Sequence, residues 1–350
     1  MNIDKLKKRL QNHLQDGLVI IVGSGLSCAE GLPGMSDIAI HLENNLPQRL
    51  NDKDKEYWKE LLPNIKINGL EAALMNKPLP QELEMKIIEI TATLVRDRER
   101  QAVKKVLQNE GIFRFGMLLD HLIITPTSGL SVVTTNYDRL IEFAVEFGYT
   151  DGDFDLGVNT MFVGQFVGKF DEKESKWSLC RGWKKNGKDL NFRNHINIYK
   201  PHGSLDWYER NGHPIRHMWD LSLPPLIITP GINKYKNGYE RPFDRHRELA
   251  NAAIDQAKRF LIIGYGFNDN HLETHLTKKI YEGTPTVLLT QGLTDKSITL
   301  TNNCPHILSL DREIRDNIDG TRVITDGNKD WIPNESWWDL RDFVVKVIES

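Results

Sequence analysis

The sequence has few cysteines and no long apolar segment, and these two absences narrow its class. Its 350 residues include three cysteines, Cys28, Cys180 and Cys304, which lie far apart and form no C-x-x-C pair. This spacing argues against a zinc ribbon or a disulfide scaffold and is typical of a protein in a reducing cytosol. No segment approaches the roughly 20 consecutive apolar residues that a membrane-spanning helix needs. We therefore expect a soluble, cytoplasmic protein that does not bind a membrane and has no zinc site.

An excess of one charge is also missing. The formal net charge is −3 at pH 7, so the chain as a whole has no attraction for nucleic acid. Basic residues cluster at Lys184-Lys185 and between Arg241 and Arg247. Such clusters are usually solvated faces, and contact with a partner or with nucleic acid is the alternative. We expect no direct binding of nucleic acid.

Residues 18–36 read LVIIVGSGLSCAEGLPGMS and carry the clearest local pattern. The apolar run from Leu18 to Val22 predicts a strand that stops at Gly23-Ser24-Gly25 and leads into a helix. Glycines let a backbone approach a pyrophosphate, and a helix N-terminus offers N–H groups and a partial positive charge. The pattern is typical of a nucleotide site, although a plain strand-to-helix turn has the same appearance.

The rest of the chain predicts a single α/β domain over residues 1–350. Residues 37–122 show helical spacing without strand patterns, which predicts a helical insertion that caps the sheet. Residues 149–194 indicate an insertion of loops and short hairpins, and residues 335–350 predict an amphipathic C-terminal docking helix. Elsewhere, β-branched runs that end in small or polar residues alternate with helical segments. The predicted fold is α/β, with a doubly wound (Rossmann-like), mainly parallel sheet.

Small and polar residues follow most of the predicted strands. In doubly wound sheets, ligands bind beyond the carboxyl ends of the strands, which meet at one edge. The predicted strand ends carry Gly23-Ser24-Gly25, Asn136, His202, Pro230-Gly231, Gly264-Tyr265-Gly266 and Gln291. We therefore expect a ligand site at this edge of the sheet.

Taken in order, these motifs resemble those of sirtuins. Residues 23–27, GSGLS, resemble the G-A-G-x-S phosphate loop of the family, and Gly31-Leu32-Pro33 resembles the G-I-P that follows it. Residues 134–138, TTNYD, resemble T-Q-N-I-D. His202-Gly203 stands where the family has its catalytic H-G, and Gly264-Tyr265-Gly266 stands where it has a later G-T-S turn. The resemblance covers most of the chain and implies an NAD-binding pocket.

Two departures from the sirtuin pattern bear on the substrate. The two C-x-x-C pairs of the sirtuin zinc module are missing, and Met35 and Ser36 replace the aromatic residue and the arginine that follow G-I-P-D in deacylases. In this respect the chain is similar to zinc-free sirtuin-like domains of bacterial anti-phage defence proteins. That resemblance implies an NAD hydrolase that forms nicotinamide and ADP-ribose and depletes cellular NAD as an abortive response to infection. It also implies assembly into homo-oligomers, in some such systems with a separate ATPase or DNA-translocase partner.

The resemblance implies a role for each matching residue. At the scissile bond, Asn136 would hold a water or a ribose hydroxyl near C1′, Asp138 would accept from the nicotinamide carboxamide, and His202 would act as the base. The rest of NAD would be held by Gly23, Ser24 and Gly25 at the pyrophosphate, with Ser27 close by, and by Gly264, Tyr265 and Gly266 at the adenosine half.

Each of these interpretations has an alternative. Asn136 could cap the helix that follows it, His202 could be a packing or surface residue, and Gly264-Tyr265-Gly266 could be a tight turn and no more. His271 and His275 have the i, i+4 spacing of a metal pair, but no third ligand is evident, so we expect a helix face and no metal. The alternative functions are a divergent protein deacylase or ADP-ribosyltransferase and a non-catalytic nucleotide-sensing module that controls an assembly.

Overall fold

Helices alternate with strands along the chain, which a computed structural model describes at residues 2–75, 78–122, 129–151, 155–185, 187–229 and 241–350. In chain order the helices are α1 (Ile3–Gln11), α2 (Ser24–Ala29), α3 (Met35–Asn45), α4 (Asp52–Asn68), α5 (Leu70–Met75), α6 (Gln81–Leu107), α7 (Arg114–Leu119), α8 (Leu140–Asp151), α9 (Glu172–Ser178), α10 (Phe243–Gln256), α11 (Asn270–Tyr281), α12 (Asp295–Asn303) and α13 (Leu340–Phe343). The strands are β1 (Leu18–Val22), β2 (Leu130–Thr134), β3 (Gly157–Asn159), β4 (Phe162–Val163), β5 (Gly168–Phe170), β6 (Cys180–Trp183), β7 (Leu190–Phe192), β8 (His195–Tyr199), β9 (Trp207–Arg210), β10 (His213–Arg216), β11 (Arg259–Ile263), β12 (Thr286–Thr290), β13 (Ile307–Arg315), β14 (Ile318–Thr325) and β15 (Asn328–Pro333).

Nine of these strands form one sheet, in the order β15-β14-β13-β12-β11-β1-β2-β8-β3. Neighbouring strands from β3 to β13 pair in parallel, and β13, β14 and β15 pair antiparallel at the opposite end. From β1 the chain winds outwards in both directions, through β2 to β8 and through β11 to β12. This order confirms the predicted α/β class and the doubly wound, mainly parallel sheet. Two smaller antiparallel sheets, β4-β5-β10-β9 and β6-β7, are built from the insertion between α8 and α10.

The strand β1 lies in the middle of the sheet, between β2 and β11. Its side chains alternate between two buried cores, with Leu18, Ile20 and Val22 in one and Val19 and Ile21 in the other. A parallel strand that is covered on both faces needs an unbroken apolar sequence, because neither face meets water. The run LVIIV therefore places β1 at the centre of the domain, and the loop after it at the centre of the carboxyl edge.

A block of helices, α3 to α7, separates β1 from β2, in agreement with the helical spacing of residues 37–122. These helices have a buried core of their own, in which Leu42, Trp58 and Leu83 are almost completely inaccessible. Ile38 of α3 and Val95 of α6 also line the cavity at the carboxyl edge of the sheet. The helical block therefore forms one wall of that cavity.

One strand prediction in the C-terminal half was wrong. The run PPLIITPG forms no strand of the sheet over its described residues; Ile227 makes an isolated antiparallel bridge to Gly203, and residues 230 and 231 lie outside the described part of the chain. The run RVITDG at residues 322–327 does begin in a strand, as its β-branched pattern predicts: its first four residues lie in β14, which pairs antiparallel with β13. The strand β13 was not anticipated, because its second half carries charged residues where it leaves the core and becomes exposed.

The C-terminal segment is less helical than predicted for residues 335–350. Helical structure is confined to Leu340–Phe343 and a following π-helical turn at Val344–Ile348. Trp337 precedes them and is buried in the same core as the first strand, so this segment is held by packing as well as by helix formation. Within the residues that the structure describes, no helix combines the length and the apolarity that crossing a membrane requires.

Two histidines, one fully buried and one partly buried, lie where the charged form of the ring is unfavourable. The ring of His246 is inaccessible, packs against Trp207 with centroids 4.6 Å apart, and accepts the Lys200 N–H at Nδ1 over 3.1 Å. Burial lowers the pKa of His246 well below 6.5, and burial lowers the pKa of His13 to about 4. The unfolded chain binds protons at both residues below pH 6.5, whereas the folded chain does not. Both histidines therefore contribute a loss of stability as the pH falls below about 6.5.

We expect the His13→Gln variant to lose less stability than the wild type between pH 7.5 and pH 4.5, because it no longer carries the proton-binding difference at this position. Urea unfolding at a series of pH values gives the free energy of unfolding of the variant and of the wild type. In the difference between the two proteins, the contributions of titrating carboxyl groups cancel. The exposed His213 provides the control, and His213→Gln should follow the wild type. Equal slopes for His13→Gln and the wild type would contradict the assignment.

Candidate active site

A cavity of about 360 Å³ lies beyond the carboxyl ends of β1, β2, β8, β11 and β12. Its volume is at the lower end of the range of small-molecule sites. Every residue predicted for the site lines this one cavity: Gly23, Ser24, Gly25, Ser27, Asn136, Asp138, His202, Gly264, Tyr265 and Gly266. Of the two further strand ends named above, Pro230-Gly231 lies outside the described residues, and Gln291 lies between two lining residues without being one.

The floor of the cavity is a close crossing of the loops after β1 and β11. The Gly23 N–H donates to Ile263 O over 2.9 Å, and the Gly25 N–H donates to Gly264 O over 3.0 Å. A Cβ on Gly25 would lie 2.6 Å from Gly264 Cα, and Gly264 itself has a φ of +58°. Both glycines are therefore required by the crossing itself. The N–H groups of Gly23 and Gly25 are therefore already bonded within the protein. Ser24 lies between them and is exposed, so it is the residue of this loop best placed to contact a ligand.

A chain of hydrogen bonds joins the loop after β1 to the loop after β2. Asn136 Nδ2 donates to Gly23 O over 2.9 Å and to Ser27 Oγ over 2.8 Å, and Ser27 Oγ donates to Asp138 Oδ2 over 2.7 Å. With the amide nitrogen engaged on both sides, Asn136 Oδ1 is the atom that can accept from a ligand. The Ser27 hydroxyl is buried within this chain, so its contact is with Asn136 and Asp138.

Asp138 is buried at the start of α8, where its Oδ1 accepts the Leu140 N–H over 3.2 Å. Burial raises the pKa of this carboxyl, while the nearby Lys200 ammonium and the Ser27 hydroxyl act in the opposite direction. Lys200 is also buried and donates from Nζ to Asp138 O and, over 3.0 Å, to Glu142 Oε1. It therefore fixes the end of β8 against the loop after β2. Sequence reasoning missed Lys200, although a lysine at the end of the apolar run HINIYK is an available signal.

His202 lies two residues beyond Lys200 and is held by the turn that contains it. The Ile228 N–H donates to His202 O over 2.9 Å. Gly203 has a φ of +84°, and a Cβ there would lie 2.1 Å from Leu226 O, so the position after the histidine requires glycine. The ring nitrogen His202 Nε2 contacts Asp269 Oδ2, and the two side chains are 13% and 6% exposed. Asp269, in the loop after β11, was not predicted from the sequence.

The charged side chains that line the cavity are acidic. They are Glu71, Asp138 and Asp269, and none of the described lining residues is a lysine or an arginine. Such a wall favours a ligand group that carries or develops positive charge. Because no cationic side chain is among the described residues of the wall, a diphosphate in this cavity would be bound by backbone N–H groups and by the Ser24 hydroxyl, as in other sites at the ends of parallel strands.

Tyr265 is held away from any stacking role. Its ring is buried in a core and packs against Phe267, with centroids 5.3 Å apart. Burial raises the pKa of its hydroxyl well above the usual value, and the Asp269 and Glu273 carboxylates act in the same direction. The residue therefore meets the cavity as a neutral phenol and through its backbone. The Tyr265 ring is therefore not available to stack on the aromatic base of a nucleotide.

The helix α6 holds the loops after β2 and β8 through two charged side chains that do not line the cavity. Glu99 accepts the Arg139 N–H over 2.5 Å and pairs with the Arg139 guanidinium. Arg96, one turn earlier, donates from Nη2 to Leu205 O over 2.9 Å. Because Arg139 follows Asp138 and Leu205 lies three residues beyond His202, these two buried side chains set the positions of both loops.

We expect Glu99→Gln to lower the free energy of unfolding by about 1.5–3 kcal/mol, since the amide keeps an acceptor for the Arg139 N–H but leaves the guanidinium without its buried counter-charge. Urea unfolding measures the change. Glu56→Gln, at an exposed position of α4, is the matched control and should have no effect. A Glu99→Gln protein as stable as the wild type would show that this pair does not hold the loop.

Among the described residues, no group of three or more His, Cys, Asp or Glu side chains is arranged to bind a metal ion. His275 Nδ1 lies 2.9 Å from Asp255 Oδ1, so it is paired with a carboxylate on α10. The side chain of His271 lies outside the described residues. The cysteines Cys28, Cys180 and Cys304 are all free.

Residues 130–295 match a family model described as a SIR2-like domain. The match includes Asn136, Asp138, His202, the Gly264-Tyr265-Gly266 turn and Asp269, and it begins after the loop at Gly23. A search of curated proteins found no match.

Solved structures with a similar fold are distant in sequence. A sirtuin structure from work on the structural basis of sirtuin substrate affinity has 12% sequence identity over 100% of this chain and 99% of that chain, with a TM-score of 0.46. A Sir2 complex with a p53 peptide and NAD+ has 13% identity over 100% and 98% of the two chains and a TM-score of 0.40. A mutant Sir2 homologue in complex with ADP-ribose has 13% identity over 100% and 97% and a TM-score of 0.41.

Proposed function

We propose that the SIR2-like domain of this chain binds NAD in the cavity at the carboxyl edge of the sheet and hydrolyses its nicotinamide–ribose bond. One observation carries this proposal. Asn136, Asp138 and His202 come from the ends of two neighbouring strands and line the same cavity as the glycine loop after β1. A polar reaction centre and a phosphate loop thus share one continuous site, as the cleavage of a dinucleotide requires.

In the proposed orientation, the diphosphate lies over the loop after β1, near Ser24 and Gly25. The adenosine half extends towards Gly266 and the end of β12, where Thr290 and Thr294 line the cavity. The nicotinamide riboside extends in the other direction, towards the ends of β2 and β8. The acidic wall then faces the cationic end of NAD.

The reaction breaks the bond between ribose C1′ and the pyridinium nitrogen. The bonding electron pair leaves with the ring, so the cationic pyridinium becomes neutral nicotinamide and the positive charge passes to the ribose as an oxocarbenium-like centre. A water oxygen then bonds to C1′ and loses one proton, which gives ADP-ribose. NAD+ and water are thus converted to nicotinamide, ADP-ribose and one proton.

Three side chains have distinct roles in this step. Asn136 Oδ1 accepts from the attacking water or from a ribose hydroxyl and holds it near C1′. Asp138 accepts from the carboxamide of nicotinamide with a remaining lone pair, and so orients the leaving ring. His202 takes the proton from the water or from a ribose hydroxyl, because an imidazole accepts and releases protons near neutral pH.

Carboxylates close to the reaction centre support the same step. Glu71 and Asp269 both lie near the Tyr137 and Tyr265 hydroxyls, whose pKa values they help to raise. Fixed negative charge beside a developing oxocarbenium centre lowers the energy of the transition state. Glu71 is therefore proposed to stabilise the positive charge as it moves from the pyridinium to the ribose.

The first experiment separates hydrolysis from the alternative functions. The purified protein is incubated with NAD over a wide range of protein concentrations, and nicotinamide, ADP-ribose and protein-bound ADP-ribose are measured by chromatography and mass spectrometry. A hydrolase releases nicotinamide and free ADP-ribose in equal amounts. A transferase leaves ADP-ribose on protein, a deacylase consumes NAD only with an acylated peptide, and a sensing module binds NAD without consuming it.

A role in anti-phage defence, through the depletion of NAD in infected cells, is proposed from the resemblance of the motifs. The same resemblance supports a cytoplasmic homo-oligomer and a separate ATPase or DNA-translocase partner. Light scattering of the chain, alone and mixed with the products of neighbouring genes, tests the assembly. Measurement of cellular NAD after phage infection, with the wild type and with a His202→Ala variant, tests the defence role.

A further inference from the structure

We propose that Asp269 is a positioning residue for His202, in an inference that rests on the proposed function of this cavity. Asp269 lies just before α11, and its two oxygens have different tasks. Oδ1 accepts the Leu272 N–H over 3.1 Å and caps the helix, while Oδ2 contacts His202 Nε2. The carboxylate is buried, and it is joined to a rigid element on one side and to the proposed base on the other.

The contact joins opposite sides of the cavity. His202 follows β8 and Asp269 follows β11, and the strands β1 and β2 lie between them in the sheet. Three strand spacings separate the two strands by about 14 Å. The two loops therefore lean towards each other over the ends of β1 and β2, where Asn136 and Gly23 lie. The contact between Asp269 and His202 therefore fixes the imidazole ring relative to the residues proposed to hold the substrate.

The pairing also selects the state of the imidazole ring. A carboxylate accepts hydrogen bonds and has none to donate, so Nε2 carries the proton in the neutral ring. In that tautomer Nδ1 is the basic nitrogen. The ring is thus prepared to accept a proton at Nδ1, and the adjacent carboxylate stabilises the imidazolium that results, as the aspartate does in Ser-His-Asp triads.

Asp269→Asn tests this role with little change in shape. Asparagine caps a helix about as well as aspartate, so α11 should keep its start. Its amide nitrogen would donate to Nε2 and impose the opposite tautomer, with the proton on Nδ1. In a Ser-His-Asp triad the same substitution lowers kcat about 10⁴-fold. Here we expect kcat for NAD cleavage to fall on the order of 10²- to 10³-fold, with little change in KM.

A matched control and a double variant isolate the effect. Asp255 pairs with His275 between α10 and α11, away from the cavity, and Asp255→Asn should leave kcat within about twofold. In a His202→Ala background, Asp269→Asn should cause no further loss, because a residue that acts through another has nothing left to position. A further loss of similar size would assign Asp269 a role independent of His202.

Nitrogen NMR of the histidine rings gives a readout that does not depend on activity. In protein with ¹⁵N-labelled histidine, the signals that His202→Ala removes identify this ring, and their frequencies report which nitrogen carries the proton. We expect the Nε2–H tautomer in the wild type and a change in Asp269→Asn. If this is seen while the wild type cleaves no NAD, the positioning stands and the proposed function fails. Unchanged His202 signals in Asp269→Asn, or an unchanged kcat in an active enzyme, would overturn the inference.

Discussion

Replacement of His202 by alanine is expected to lower kcat for nicotinamide release about 10³-fold. The estimate follows from the size of general acid–base catalysis, which contributes about 10²- to 10⁴-fold. Because the ring is proposed to take a proton rather than to hold the diphosphate or the adenosine, the affinity for NAD should change much less. Single-turnover release of nicotinamide and a separate measurement of NAD binding would resolve the two effects.

His202→Gln is the more stringent variant. The glutamine amide can donate to Asp269 and so preserve the buried carboxylate's contact, but it cannot accept and release a proton at neutral pH. Its kcat should therefore fall as far as that of His202→Ala, with a melting temperature closer to the wild type. His213→Ala, at an exposed position, should retain full activity. A folded His202→Gln protein that keeps near-normal turnover would remove His202 from the mechanism.

Replacement of Asn136 is expected to have the second largest effect, about a 10²- to 10³-fold loss of kcat. Asn136→Ala removes the amide oxygen proposed to hold water or ribose hydroxyl, a loss comparable with that of one preorganised polar group in other active sites. It also removes the hydrogen bonds from Nδ2 to Gly23 O and Ser27 Oγ. Without the bond from Nδ2, Gly23 O needs a new hydrogen-bond donor. If this oxygen stays buried without one, the free energy of unfolding falls by about 1–3 kcal/mol.

Two further variants separate these contributions. Asn136→Asp keeps the shape and an acceptor, but a carboxylate has no hydrogen to donate to Gly23 O, and it would place negative charge near Asp138. We expect it to be inactive and less stable. Ser27→Ala breaks the link between Asn136 and Asp138 while leaving the bond to Gly23, so its kcat should fall only about tenfold. If Asn136→Ala were no worse than Ser27→Ala, the amide would be a structural element rather than part of the reaction centre.

Much of this site was predictable because it depends on local patterns. An apolar run buried on both faces fixes β1 at the centre of a parallel sheet, and the ends of parallel strands meet at one edge. The glycines at 23, 25 and 264 mark a crossing where no side chain fits. These constraints brought all ten predicted residues to a single cavity. They operate between neighbours in the sequence or along a regular sheet.

The supporting residues were not predictable, because their contacts join distant segments. Glu99 reaches Arg139 from the helical block, Lys200 reaches Glu142, and Asp269 meets His202 from across two strands. A single charged residue in a helical or loop pattern gives no sign of a buried partner far away in sequence. The strand β13 was missed for a related reason, since its second half leaves the core and loses the apolar pattern that marks a strand.

In the proposed reaction, water attacks ribose C1′ of NAD in this cavity. Incubation of the wild type with NAD in ¹⁸O-labelled water, followed by mass spectrometry of the products, identifies the group that attacks C1′. We expect unlabelled nicotinamide and ADP-ribose that carries one ¹⁸O atom, with formation of both products lost in His202→Gln. Intact NAD under all conditions, or ADP-ribose found only on protein, would contradict the proposed reaction.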